Sequence, residues 1–269
     1  GTDHGAQNTL LQYIRSREKG LLIGLNLDPG TDLRPGIPMT MLPTIQFERH
    51  FADWNAYMKA LRAPYRRRLQ HISARFDGVE VQRDSCRAYS AEHHALYLQI
   101  MERTPDKLEV LTERYFRNLP DNLYLVSCRH EGRLLCWHIV CTDGDRFYFF
   151  FGGHDYALNA VYQSYYNNLR LILQEAITAG YSWLDLGQTA EIPKLKLGGY
   201  VQPKAFFLYH RQPLIRALLR LFKPLITYRA PFPAFHVFKS YMDYENPDDS
   251  SAALAGYDWA AAPDDRGTA

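Results

Sequence analysis

Two clusters of polar residues in the middle of the chain have the types and spacing that chemistry asks for. His154-Asp155 follow an apolar run, Phe147 to Phe151, that stops at Gly152-Gly153. Gln188, Thr189, Glu191, Lys194 and Lys196 follow a second short run, Ser182 to Leu186, and lead into Gly198-Gly199. A histidine titrating near neutrality suits a general base, and glycines ahead of it let the backbone approach a ligand. The Lys194 ammonium, in a segment rich in Gly, Pro and Thr, has the charge to neutralise a phosphate or an oxyanion. Gln188 and Thr189 have the polar groups to hold an acceptor substrate. Each has a plainer reading too. Asp155 suits the cap of the helix that follows it, Lys194 a solvated surface lysine, and Gln188-Thr189 a turn. Lys194 and Lys196 share one side if their segment is extended, and diverge in a helical turn.

The elements that must position these residues read as strand, helix and strand. Phe147 to Phe151 is a strand, Ala157 to Ala179 a long helix stopped by Gly180, and Ser182 to Leu186 a second strand. In an open α/β sheet, ligands bind beyond the carboxyl ends of the strands, where both clusters fall. Tyr162, Tyr165, Tyr166 and Leu169 lie at i, i+3, i+4 and i+7 on the helix. Core packing explains that stripe, with the Tyr162 hydroxyl kept as a candidate donor or acid.

Upstream, helix Ala6–Lys19, strand Leu21–Leu27 and the turn Asp28-Pro29-Gly30 precede a polar, proline-bearing loop to about Pro43. Phe47 to Leu61 has helical apolar spacing, and after Pro64 a basic helix runs from Tyr65 to Phe76. A weak strand, Gly78–Gln82, is followed by helices Ala91–Arg103 and Lys107–Leu119, the latter capped by Asp106. Three strands, Leu123–Arg129, Leu134–Thr142 and Arg146–Phe151, are joined by the turns His130-Glu131-Gly132 and Asp143-Gly144, so they are antiparallel neighbours. Strand Ala205–Tyr209 and the basic amphipathic helix Pro213–Leu225 follow. The tail beyond Tyr244 reads as disordered.

A chain of 269 residues, 46% hydrophobic, with 19 Tyr and 14 Phe, is a folded globular protein with ample core. A net charge of +2 does not call for nucleic acid as a partner. The basic run Arg62, Arg66, Arg67, Arg68, His71, Arg75 reads first as a solvated helix face. Cys86, Cys128, Cys136 and Cys141 form no C-x-x-C pair and no zinc-ligand spacing, so no metal is expected, and Cys136 and Cys141, within an apolar strand run, read as buried free thiols. A reducing, cytoplasmic compartment follows. There is no apolar run of membrane-spanning length, and GTDHGAQN lacks the pattern of a signal peptide.

The element order resembles that of the GNAT acyltransferase fold, and particular stretches resemble the Fem aminoacyltransferase-like, or FemAB-like, group within it. These are Phe51 to Leu61 followed by Arg66, the paired helices in Tyr97 to Phe116, the long helix Tyr166 to Gly180, and Leu186-Gly-Gln-Thr-Ala-Glu-Ile-Pro-Lys194-Leu-Lys-Leu-Gly198, which is similar to an "lG.t....K...G" signature. The resemblance covers about Gln46 to Arg211. It implies an α/β fold with a GNAT-like mixed, mainly antiparallel sheet flanked by helices. It also implies a truncated N-terminal GNAT-like half (1–76), a complete acyltransferase domain (77–211), a C-terminal helix and extension (212–244) and a tail (245–269).

The resemblance further implies an N-acyltransferase moving an acetyl, acyl or aminoacyl group to an amine of a small-molecule or cell-envelope acceptor. Such transfer needs a route for the amine proton, donors facing the oxyanion, and a cradle for the carrier. His154, Asp155, Lys194 and Tyr162 are the candidate catalytic residues. Gln188, Thr189, Glu191, Lys196 and Gly198 are candidates for binding substrate, with Lys194 the position where the resemblance places a functional lysine. Acyl-CoA users of this fold carry a Q/R-x-x-G-x-G/A loop whose amides hold pyrophosphate at a helix N-terminus. Gly152-Gly-His-Asp-Tyr-Ala-Leu-Asn-Ala lacks it. No tightly bound cofactor is expected, and acyl-CoA, an acyl carrier protein and aminoacyl-tRNA stand as donors, with no stable membrane insertion. The competing reading is a non-catalytic GNAT-like binding or scaffold module.

Overall fold

The structure, a computed structural model, describes residues 16–29, 35–104, 109–228 and 232–239, together with residues 9 and 12–14. Most of the expected first helix, the cap Asp106 and the C-terminal tail lie outside the described residues. In chain order the elements are β1 (Leu22–Leu27), β2 (Ile37–Glu48), α1 (Trp54–Ala60), α2 (Ala63–Ala74), β3 (Glu80–Ser85), α3 (Ala91–Arg103), α4 (Glu113–Arg117) and β4 (Leu123–His130). There follow β5 (Arg133–Asp143), β6 (Arg146–His154), α5 (Tyr156–Tyr162), α6 (Ser164–Ala179), β7 (Trp183–Asp185), α7 (Glu191–Leu195), β8 (Tyr200–Tyr209) and α8 (Pro213–Ile226). The mixed, mainly antiparallel α/β class expected from the sequence is the one adopted.

Two compact units divide the chain, one of residues 1–44 and 201–232 and one of 45–200 and 233–269. In the first, β1 pairs antiparallel with β8 (Leu22↔Tyr209, Ile23↔Leu208). Ile37 and Met39 of β2 pack with Leu208, and Phe206 and Leu219 lean on them.

In the second unit the strand order is β2-β7-β6-β5-β4-β3. The hairpins β4–β5 and β5–β6 are antiparallel as the turn residues require, and only β6–β7 is parallel among these pairs. One core packs Tyr89, Leu96, Tyr97 and Phe116 against Leu125, Trp137 and Ile139 of the sheet. Another sets Phe76, Leu158, Tyr162 and Leu171 against Cys128, Leu135 and Cys136. Apolar burial on both faces fixes the strand register, because a slip by one residue would exchange the faces. All four cysteines are free and buried.

Four element readings are corrected. The loop expected to Pro43 is strand β2, in which burial of Ile37, Met39, Ile45 and Phe47 outweighs the two N–H groups missing at Pro38 and Pro43. Phe47 therefore belongs to a strand, and the helix after it starts at Trp54, capped by Asp53. The helix expected over Ala157–Ala179 is two helices broken at Gln163, which sits at φ 50°, ψ 40°. The Asn159 carboxamide oxygen accepts from the Tyr165 N–H at 3.0 Å and the Ser164 hydroxyl at 3.2 Å, so the break carries its own cap. The helix expected over Lys107–Leu119 is confined, among the described residues, to Glu113–Arg117, with Thr112 as its cap.

Candidate functional site

The sheet opens between β6 and β7. Their parallel pairing covers Arg146↔Trp183, Phe147↔Leu184 and Tyr148↔Asp185, and then ends. β6 continues with β5 to His154, and its register shifts at Phe150, which lies between the pairs Val140↔Phe149 and Ile139↔Phe151. An extra residue of this kind bends a strand. The chain after β7 stays with β2 instead, Leu186 N–H donating to Ile45 O at 2.8 Å and Ile45 N–H to Gly187 O at 3.1 Å. Each strand follows its antiparallel partner beyond Tyr148 and Asp185, so a wedge is cut into the sheet whose apex is Phe149 facing Gly187, with Gln188 and Thr189 continuing the β7 side. A Cβ built on Gly187 would stand 3.4 Å from the Phe149 carbonyl oxygen.

Lys194 organises the β7 side of the wedge. Its Nζ donates to the carbonyls of Thr189 at 2.7 Å, Gln188 at 2.8 Å and Gly187 at 3.2 Å, which uses all three of its protons. It lies 5.9 Å from the centre of the Phe149 ring. The residue is 2% exposed, so the alternative of a solvated surface lysine is replaced by a buried one. Burial pushes its pKa down to about 8, while Glu191 and Asp185 pull the other way. Carbonyl and following N–H point oppositely in a trans peptide, so drawing three carbonyls onto Nζ turns the N–H groups of Gln188, Thr189 and Ala190 away from it. The cost is visible in the backbone. Thr189 stands at φ 60° and Ala190 at φ 49°, and a β-branched residue at positive φ is an outlier. Glu191–Leu195 is a helical turn, so Lys196 diverges from Lys194 and places Nζ 5.5 Å from the Phe235 ring centre.

The other polar cluster is corrected in a different way. Gly152 and Gly153 continue β6, paired with His138 and Trp137. A Cβ at Gly153 would run into the Trp137 indole, so this glycine makes room for a core side chain. His154 is 4% exposed, with its ring 4.2 Å from that of Tyr156 and 5.3 Å from that of Tyr165, and its Nε2 has no hydrogen-bond partner among the described residues. Burial first, then the Arg103 charge, push its pKa down to about 4, with Asp155 opposing. Asp155 caps α5. Its Oδ1 accepts from Ala157 N–H at 2.8 Å and Leu158 N–H at 3.3 Å, and its Oδ2 pairs with Arg133 at 2.8 Å. The remaining amide at that terminus, Tyr156 N–H, donates to the Gln99 carboxamide at 3.2 Å. The end of α5 where a phosphate would sit is thus occupied by the chain's own side chains.

Tyr162 faces the core, its hydroxyl 3.3 Å from His130 Nδ1. Glu191 is half-buried in the first turn of α7. Gly198 stands at φ 92°, and a Cβ there would meet the Phe238 ring. Sequence reasoning missed a row of polar groups beside the wedge. Asp185, the last β7 residue paired with β6, accepts from Gly187 N–H at 2.7 Å and lies 3.4 Å from the Gln46 amide. The Tyr200 hydroxyl lies 3.2 Å from the Glu48 carboxylate and 3.4 Å from the Gln46 carboxamide oxygen, with one proton for the two, and burial pushes its pKa up to about 12. The one available signal was Asp-Leu-Gly at 185–187, an Asx turn at a strand end. Among the described residues no group of three His, Cys, Asp or Glu could hold a metal ion. Two surface cavities, one at Arg87, Arg114 and Arg117 and one at Trp54, Gln70 and Arg170, lie away from the wedge.

Residues 59–195, just over half the chain, match the family model described as an acetyltransferase (GNAT) domain. Among solved structures, the chain is similar to the C-terminal domain (DUF2156) of a putative lysylphosphatidylglycerol synthetase from Agrobacterium fabrum, with TM-score 0.55, 10% identity and coverage of 84% of this chain and 79% of that one. It is similar to FemX with TM-score 0.55, 12% identity and coverage of 82% and 80%. At such identities the likeness is one of fold. No curated protein matches the chain in sequence.

Proposed function

The chain belongs to the GNAT acetyltransferase-domain family, and from that premise we propose that it is an N-acyltransferase acting on an amine of a small-molecule or cell-envelope acceptor. The observation that carries this reading is the wedge between β6 and β7, whose lip is locked by Lys194. An acyl donor laid in the wedge brings its carbonyl beside the N–H groups of Thr189 and Ala190. Amides fixed in advance stabilise the oxyanion that forms when the amine attacks, because no reorganisation is needed at the moment of reaction. Strain held at Thr189 fits a loop ordered for use. The acceptor ammonium first gives one proton to solvent; the new C–N bond then forms as the carbonyl–carrier bond breaks, and the second proton leaves by water to the departing thiolate or alkoxide. Asp185 and Glu48 supply the negative charge that draws an acceptor ammonium to the opening.

In this reading Lys194 is a positioning residue, and Asp155 and Tyr162 are parts of the fold. His154, with its depressed pKa, is a neutral core imidazole. The capped terminus of α5 argues against a carrier held through pyrophosphate. Aminoacyl-tRNA, which the resemblance to Fem-type enzymes implies, and an acyl carrier protein are the favoured donors. A second reading, a non-catalytic binding module, is favoured by the same commitments: Lys194, Asp155 and His154 are all engaged in the fold. A panel of acetyl-CoA, acyl carrier protein thioester and aminoacyl-tRNA, offered with primary amines and read by mass spectrometry, separates the two. Transfer from any donor excludes the binding module, and none from all three excludes the enzyme.

A further inference from the structure

The helix α8 is amphipathic in a way that its own unit does not use. It rests on Ile37, Met39 and Leu208 through Leu219, yet none of its 14 residues is buried. Leu214, Leu221 and Leu225 are 72%, 71% and 81% exposed, and Leu218 and Phe222 are about half exposed. At 100° per residue these five share one face, while Arg216, Arg220 and Lys223 share the opposite one. A contiguous exposed apolar face marks a contact surface. Its own charges say of what kind. The helix carries Arg216, Arg220 and Lys223 and no Asp or Glu.

We infer that α8 binds the surface of an anionic phospholipid bilayer, lying in the headgroup layer with its leucines toward the acyl chains and its basic residues toward the phosphates. At 1.5 Å per residue the helix is about 21 Å long, too short for a hydrocarbon core of about 30 Å, so it lies in the interface rather than across it. Apolar burial and attraction to anionic headgroups both contribute to such binding. A second copy of the chain is the weaker occupant. Pairing two α8 helices brings like charges together, whereas an anionic membrane is complementary to them. The inference is independent of the transfer chemistry.

Sedimentation of the full chain with vesicles tests it. The protein should pellet with equimolar phosphatidylglycerol and phosphatidylcholine, less so in high salt, and poorly with phosphatidylcholine alone. Changing Leu218→Ser, Leu221→Ser and Leu225→Ser together should lower partitioning by about tenfold or more with thermal unfolding unmoved, since these side chains are already exposed. Arg220→Glu with Lys223→Glu should weaken binding to the anionic vesicles and flatten its salt dependence. The inference is overturned if wild type stays in solution with anionic vesicles, or if the triple variant pellets as well as wild type. A dimer in light scattering that the triple variant dissociates, with no vesicle binding, would assign the face to a second copy.

Discussion

Lys194 and Thr189 are bound to each other at the lip of the wedge: Nζ donates to the Thr189 carbonyl at 2.7 Å, and Thr189 is the β-branched residue held at φ 60°. A buried ammonium thus fixes a strained turn, and the two features explain each other. Without the carbonyls the charge would be too costly to bury, and without the charge the three carbonyls would have no common donor.

Lys194→Met is therefore expected to destabilise the protein by about 2–4 kcal/mol, the loss of several hydrogen bonds from a buried site, and to lower transfer as well. Lys196→Ala, at a half-buried side chain, should cost less than about 1 kcal/mol. Thermal unfolding of both variants checks this. An unchanged midpoint for Lys194→Met would mean that the lip holds itself.

Thr189→Gly separates order from strain. Glycine adopts positive φ freely but widens the unfolded ensemble, so stability should change by no more than about 1 kcal/mol while the lip loosens. Turnover should then fall at near-constant stability. Equal turnover in the variant would remove the lip amides from the mechanism.

Calorimetry with CoA and acetyl-CoA should show binding weaker than micromolar, because Asp155 and Gln99 already occupy the amides of Tyr156, Ala157 and Leu158. Micromolar affinity, about −8 kcal/mol, would mean that pyrophosphate is held elsewhere and would restore an ordinary acyl-CoA enzyme.

Stability should fall in mild acid. Burial pushes His138 and His154 each from 6.5 down to about 4. Between those values the unfolded chain binds more protons than the folded one, so stability is full above about pH 6.5 and is lost as pH drops through this window. At 1.36 kcal/mol per unit each imidazole carries about 3 kcal/mol. Denaturant midpoints from pH 7 to 4.5 should decline steeply, and His154→Gln should make the decline shallower. A flat profile would contradict neutral, buried imidazoles.

Local chemistry made much of this protein legible in its sequence. The turns at His130-Glu131-Gly132 and Asp143-Gly144, with alternating apolar runs between them, determined the β4–β5–β6 meander. Asp155 announced itself as a cap, since an aspartate ahead of a helical run has few better uses. The motif from Leu186 to Gly198 marked the segment that forms the wedge's lip. Other features depended on neighbours distant in the chain. Pro38 and Pro43 spoke against a strand, yet β2 forms because Ile37, Met39, Ile45 and Phe47 find a core. Gly153 is explained only by Trp137, which crosses from β5 into the space a Cβ would fill. Lys194 could be placed on a loop by its sequence, but not buried against it. Its burial depends on three carbonyls converging at one point, and convergence belongs to the folded backbone rather than to the order of residues.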